Sequence, residues 1–155
     1  MKKRKAILVA AIAFAAVAIF GVTAVATTGG GLLGSPQVRG TLPNHVQVNA
    51  DRIKFSTKGE TDVVVQTITY APGGFSGWHT HPGFVLAVVE SGALKVQVGC
   101  STHTYSVGQS FYESGTTPIM ARASQETVVR VTYVVPKGAA VRRDVPESQI
   151  PDCDE

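Results

Sequence analysis

After residue 26 the chain shows no run with amphipathic helical spacing. It breaks instead into short segments rich in Val, Thr, Tyr and Phe, each bounded by Gly, Ser, Asp or Pro. These segments are residues 62–70, 84–89, 93–98, 103–107, 109–112 and 126–135, with a shorter piece at 45–48. Strands of this length, separated by turn signals, predict an all-β sandwich or barrel. Leu94, Val96 and Val98 alternate with Lys95 and Gln97, so one face of that strand is expected inside and the other in water. Residues 127–135 are almost wholly apolar or β-branched apart from Arg130, the composition of a central strand.

Residues 73–83, Gly-Gly-Phe-Ser-Gly-Trp-His-Thr-His-Pro-Gly, hold the strongest chemical signal. On an extended chain, residues two apart point to one face, so His79 and His81 are expected side by side. Two imidazoles begin a metal site, which usually wants three or four protein ligands. Their other reading is a hydrogen-bonded polar pocket without metal. His103 is the third candidate ligand by residue type, and Tyr112 and Glu113 are further pocket candidates. His45, alone on a short strand, carries little signal. Trp78 alternates with His79 and is expected to pack. Gly73 and Gly74 follow Pro72 as a turn.

Gly73, five residues, His79-Thr80-His81 and then Gly92 resemble the first sequence motif of the cupins. In that motif a Glu follows the second histidine, and its position here falls on Val85. Gly108 opens the second cupin motif in register, but its His position falls on Ile119 and its Pro, Gly and Asn positions on Ser114, Thr116 and Ala123. The resemblance covers residues 61–136. It implies a double-stranded β-helix (jelly-roll, cupin-like) barrel around a small-molecule pocket, often with a divalent metal on three His and one Glu. Carried over residue by residue, it supplies only His79 and His81. The pocket is expected to include Trp78, Phe84, Tyr112 and Ile119. The implied cofactor is a weakly held divalent metal, Fe, Mn, Zn or Ni, and the resemblance also allows a homodimer.

Residues 2–5 are all basic, and the 21 residues 6–26 carry no charge. As a helix that run measures roughly 31 Å, against a hydrocarbon core of roughly 30 Å. A basic start keeps the N-terminus in the cytoplasm and sends the rest out. The run reads as a signal-anchor helix or as a cleaved signal peptide, whose site would be Ala24-Val25-Ala26. Either way the domain is exported, as a single-pass membrane protein with an extracytoplasmic C-terminal domain or as a secreted one. The formal charge of +3 comes from this cluster; the remaining ten basic residues face eleven acidic ones. No basic stripe interleaved with aromatics is present, so nucleic acid is not an expected partner.

Glycine richness makes residues 27–44 a flexible linker and lead-in, residues 45–140 the barrel and 141–155 a tail. Cys100 and Cys153 are the only cysteines. In an exported chain the even count suggests an intramolecular disulfide. The alternatives are free thiols or pairing to another chain. Function is therefore expected to be binding of a small ligand in the barrel. The alternatives are a metal-dependent oxygenase or isomerase using His79, His81 and a third ligand from outside the motif, or a structural interaction domain at the cell surface.

Overall fold

The computed structural model describes residues 27–153. The signal or anchor helix expected over residues 1–26 lies outside them. Among the described residues no helix is long and apolar enough to cross a membrane. In chain order the strands are β1 (Gly30–Gly34), β2 (Val38–Leu42), β3 (Gln47–Ala50), β4 (Ile53–Ser56), β5 (Thr61–Phe75), β6 (His79–Thr80) and β7 (Phe84–Ser91). They continue as β8 (Ala93–Val98), β9 (Ser101–Ser106), β10 (Ser110–Ser114), β11 (Ile119–Ala123), β12 (Thr127–Pro136) and β13 (Arg143–Asp144).

All strand pairs are antiparallel. One layer runs β10–β7–β12–β5, with β2 and β1 on the far edge of β5. The other runs β9–β8–β11, continuing through β6 to β13. β5 joins the two. It pairs with β12 as far as Tyr70, turns through Pro72-Gly73-Gly74, and meets β11 at Phe75. The result is an all-β, nearly closed barrel of the double-stranded β-helix type, with β12 central as its composition predicts. The β3–β4 hairpin forms a separate two-stranded sheet, set against the barrel by the edge-to-face pair Phe55–Phe84.

Directly opposed residues in an antiparallel ladder share a face. Glu113, Val85, Tyr133 and Val64 therefore form one inward row across β10, β7, β12 and β5. Phe111, Ala87, Val131 and Gln66 form the next. Val64, Val85, Val89, Leu94, Ile119, Val129 and Val135 are almost fully buried. Each buried side chain of this size contributes roughly 1.5–3 kcal/mol. The alternation expected of β8 holds for Leu94 and Val96, whereas Val98 emerges at the barrel end beside the Gly99 turn and is 38% exposed.

Two segments differ from their sequence reading. Residues 27–44 are not a linker: β1 and β2 are laid along β5 over residues 61–75. Their glycines serve close approach, for a Cβ at Gly29 would lie 2.7 Å from the Phe75 carbonyl oxygen. Gly31 has φ +67° at the bulge in β1. The second is the tail. β13 pairs with β6, and Val145 donates its N–H to the Trp78 carbonyl at 3.0 Å. Thr27 ties the two ends together, its hydroxyl lying 3.2 Å from the carbonyl oxygens of both Trp78 and Val145.

A buried ionic clamp holds β2 on β5. Asp62 accepts from the Thr41 hydroxyl (2.6 Å), the Gly138 N–H (2.8 Å) and Arg39 (2.6 Å). These donors, Thr41 foremost, hold its carboxyl at about 2, below the ordinary 3.8. Cys100 and Cys153 form a disulfide with their Cα atoms 5.4 Å apart, pinning the end of the tail to the β8–β9 turn. The bridge spans 53 residues, which in the chain-entropy treatment is worth about 4 kcal/mol. The Cys100→Ser/Cys153→Ser variant is expected to unfold at lower denaturant by about that amount; an unchanged urea midpoint would show that the bridge does not constrain the unfolded chain.

Candidate metal centre

His79 begins β6 and His81 follows it by two residues, so both rings enter the barrel from one side. Both are buried, with ring centroids 4.8 Å apart and planes nearly perpendicular. Backbone carbonyls orient each ring. Nδ1 of His79 lies 3.0 Å from the Gly77 oxygen, and Nδ1 of His81 lies 2.6 Å from the Val141 oxygen. A carbonyl only accepts, so each Nδ1 carries the proton and each Nε2 presents a lone pair. Gly77 has φ +70°, and a Cβ there would strike the backbone at residues 27–29. The carbonyl that fixes His79 thus sits on a turn only glycine can make.

Glu113 supplies the third group. It is the direct cross-strand partner of Val85, the position where the motif's own Glu is lost. Both point inward, so a carboxylate is kept at the same level of the barrel, carried by β10 instead of β7. Oε2 of Glu113 lies 2.9 Å from Nε2 of His81. That oxygen lies off the line along which an Nε2–H would point, and Nε2 is left without a hydrogen-bond partner. Two buried acceptors face each other across a gap that a cation would fill. The ligand atoms of His79, His81 and Glu113 all lie within 4.8 Å of one another. Two imidazoles oriented by carbonyls, plus one carboxylate, are the donor set of a divalent transition metal with open coordination positions.

A cavity of about 280 Å³ adjoins the group. Its walls are apolar, including Leu32, Ile68, Val129 and Val131, and its polar lining includes Tyr70, Tyr133, Gln66 and Arg142. Tyr133 tilts over His81 with centroids 5.8 Å apart. Burial, with the Glu113 charge adding to it, pushes its phenol up to about 12, and the Tyr70 phenol is raised for the same reasons. Desolvation, then the Arg142 charge, pushes His79 down to about 4 from the ordinary 6.5.

The other expected site residues lie elsewhere. His103 is exposed on β9, its ring against Tyr105 at 4.5 Å, and is not part of the group. Of the four expected pocket residues, none lines this cavity. Tyr112 is 74% exposed on the outer face, because alternation on β10 sends Phe111 and Glu113 inward. Phe84 faces a separate depression beside Phe55. Trp78 is buried away from the cavity, its backbone held by Thr27 and Val145. Ile119 opposes His79 in the ladder but is packed wholly into the core. It occupies the second-motif histidine position, which leaves no fourth ligand there.

The family match agrees with this architecture. Residues 66–135 match the Cupin_2 family, described as a cupin domain. This stretch is a cupin domain. No curated protein matches the chain. Among solved structures, it is similar to a conserved protein with a double-stranded β-helix domain from Klebsiella pneumoniae. That likeness has 19% identity and TM-score 0.48, over 55% of this chain and 76% of that one. A cupin superfamily protein from Desulfitobacterium hafniense aligns at 9% identity and TM-score 0.46, over 64% and 78% of the two chains. A salicylate 1,2-dioxygenase from Pseudaminobacter salicylatoxidans aligns at 17% identity and TM-score 0.43, over 45% and 20%.

The buried His79 sets a pH dependence. Unfolded, it binds a proton near 6.5; folded and metal-free, only near 4. Between those values the unfolded chain holds more protons, so stability falls as pH drops from 6.5 to 4. The loss is on the order of 3 kcal/mol. Urea unfolding of the metal-free protein at pH 7.5 and pH 4.5 should show it, with a smaller difference in His79→Gln; equal differences in the two proteins would contradict the assignment.

Proposed function

We propose that this cupin domain holds one divalent transition metal on His79, His81 and Glu113 and binds a small molecule beside it. The observation that carries the reading is the 2.9 Å approach of His81 Nε2 and Glu113 Oε2, with both imidazole Nδ1 atoms turned to carbonyls. Three protein ligands leave coordination positions for water or a bound molecule, which favours a metal-dependent enzyme over a purely structural domain. When bound, the metal would supply Lewis-acid polarisation of a ligand oxygen. The chain's own part is to hold the imidazoles in one tautomer, keep His79 unprotonated at neutral pH and line a mainly apolar cavity.

The export reading belongs to the same proposal. It is supported by the basic start with its uncharged run and by the Cys100–Cys153 disulfide, which persists in oxidising compartments. Pairing of two copies would use the outer face of the β10–β7–β12–β5–β2 layer, where Leu86, Val88, Tyr112 and Val38 are exposed.

The full-length protein purified without chelator should carry close to one Fe, Mn, Zn or Ni per chain by elemental analysis. His79→Ala and Glu113→Gln should each reduce retention by at least tenfold, the scale for losing one ligand or its partner. A wild-type protein that takes up none of these ions would overturn the proposal.

A further inference from the structure

The cavity's polar lining has a sign. Among the residues that line it, Glu113 and Arg142 are the acid and the base, and Glu113 faces the metal ligands. Arg142 reaches the cavity from the tail segment, half-buried at its edge. Its Nη1 donates to the Ser76 carbonyl at 3.0 Å, and its Nε and Nη2 donate to Asp144. A guanidinium has five N–H groups, so two of these remain unused among the described residues. The Tyr70 and Tyr133 side chains are more than nine-tenths buried against the same cavity, and neither hydroxyl has a hydrogen-bond partner among the described residues. Gln66 is engaged, donating to the Ser35 carbonyl at 2.8 Å and accepting from Gln37 at 3.4 Å. Apart from the acceptors of His79, His81 and Glu113, which face the metal position, the unpaired polar groups of the lining are two phenol hydroxyls and two guanidinium N–H groups, all able to donate.

Charge balance points the same way. A divalent ion on one carboxylate and two neutral imidazoles leaves one positive charge uncompensated in a buried place. Arg142 is already balanced by Asp144. A neutral occupant would leave that charge unmatched and a cationic one would add to it, which is costly away from water. The apolar walls ask for a hydrocarbon body, and about 280 Å³ limits it to a small one.

We infer that the ligand of this site is a small organic monoanion, a carboxylate or enolate on a compact apolar body, received by the phenols of Tyr70 and Tyr133 and by Arg142. The inference rests on the metal reading, in which the acceptors of His79, His81 and Glu113 turn to the ion and leave the phenols and Arg142 as the donors facing the ligand. Arg142 and the phenols act here as specificity-determining residues, selecting oxygen anions over neutral or basic molecules of the same shape.

Calorimetric titration of the metal-loaded full-length protein with benzoate, benzamide and benzylammonium tests it. Benzoate should bind at least tenfold more tightly than benzamide, with no detectable benzylammonium binding, as expected for charge-assisted hydrogen bonds. Arg142→Met should weaken benzoate about tenfold while metal content stays at one per chain, with Arg142→Lys between the two. Tyr133→Phe, which keeps the ring and its packing, should weaken benzoate about fivefold, the scale of one hydrogen bond. Equal affinity for benzamide, no benzoate binding in the metal-loaded protein, or indifference of benzoate to Arg142→Met and Tyr133→Phe would overturn the inference. Should the protein take up no metal yet bind benzoate in a manner sensitive to both variants, the anion site stands and only the metal reading fails.

Discussion

The period-two alternation of β5, β7, β10 and β12 is the constraint on which the rest of the structure depends. Because these four antiparallel strands keep register, every second residue along their paired lengths is committed to the barrel interior. That commitment buries Val64, Val85, Val89, Val129, Val131 and Val135 together, and it also places Glu113 and Tyr133 on the same level as Val85. A slip of one residue in β10 would send Glu113 into water and Tyr112 inside. Core and site are thus specified by one register, so the apolar contacts that stabilise the barrel also position the carboxylate.

The second requirement is closure at the end of the barrel where β6 lies. β6 has two residues and is held by its neighbours more than by its own pairing. Thr27 from the beginning of the described chain and Val145 from near its end both bond to the Trp78 backbone, and the Val141 carbonyl accepts the Nδ1–H of His81. The disulfide fixes the end of that tail segment. A segment flanking the family-matched region therefore orients His81, which lies within it, and Arg142 enters the cavity by the same route.

Much of the fold was legible in the sequence. Short β-branched runs between turn residues gave the strands, and the spacing of Gly73, His79, His81 and Gly92 pointed to the barrel type. The two histidines were legible because a strand puts residues two apart on one face. The carboxylate was harder. Phe111 and Tyr112 are adjacent aromatics, so either phase of β10 is plausible on hydrophobicity alone, and the choice decides whether Tyr112 or Glu113 faces inward. The pairing of Glu113 with Val85 joins residues 28 apart in the chain, and no local pattern reports it. Residues 27–44 misled for another reason. Glycine supplies flexibility in a linker and close approach in a packed strand, and composition does not separate the two.

The central claim is that the barrel keeps its carboxylate by carrying it on the neighbouring strand. Its most direct test is the metal content of the transposed variant Val85→Glu/Glu113→Val, measured beside Glu113→Val alone. The account predicts little bound metal in the single variant and close to one ion per chain in the folded double variant, since residues 85 and 113 face each other on the inner surface. Full metal content in Glu113→Val, or none in a folded double variant, would contradict it.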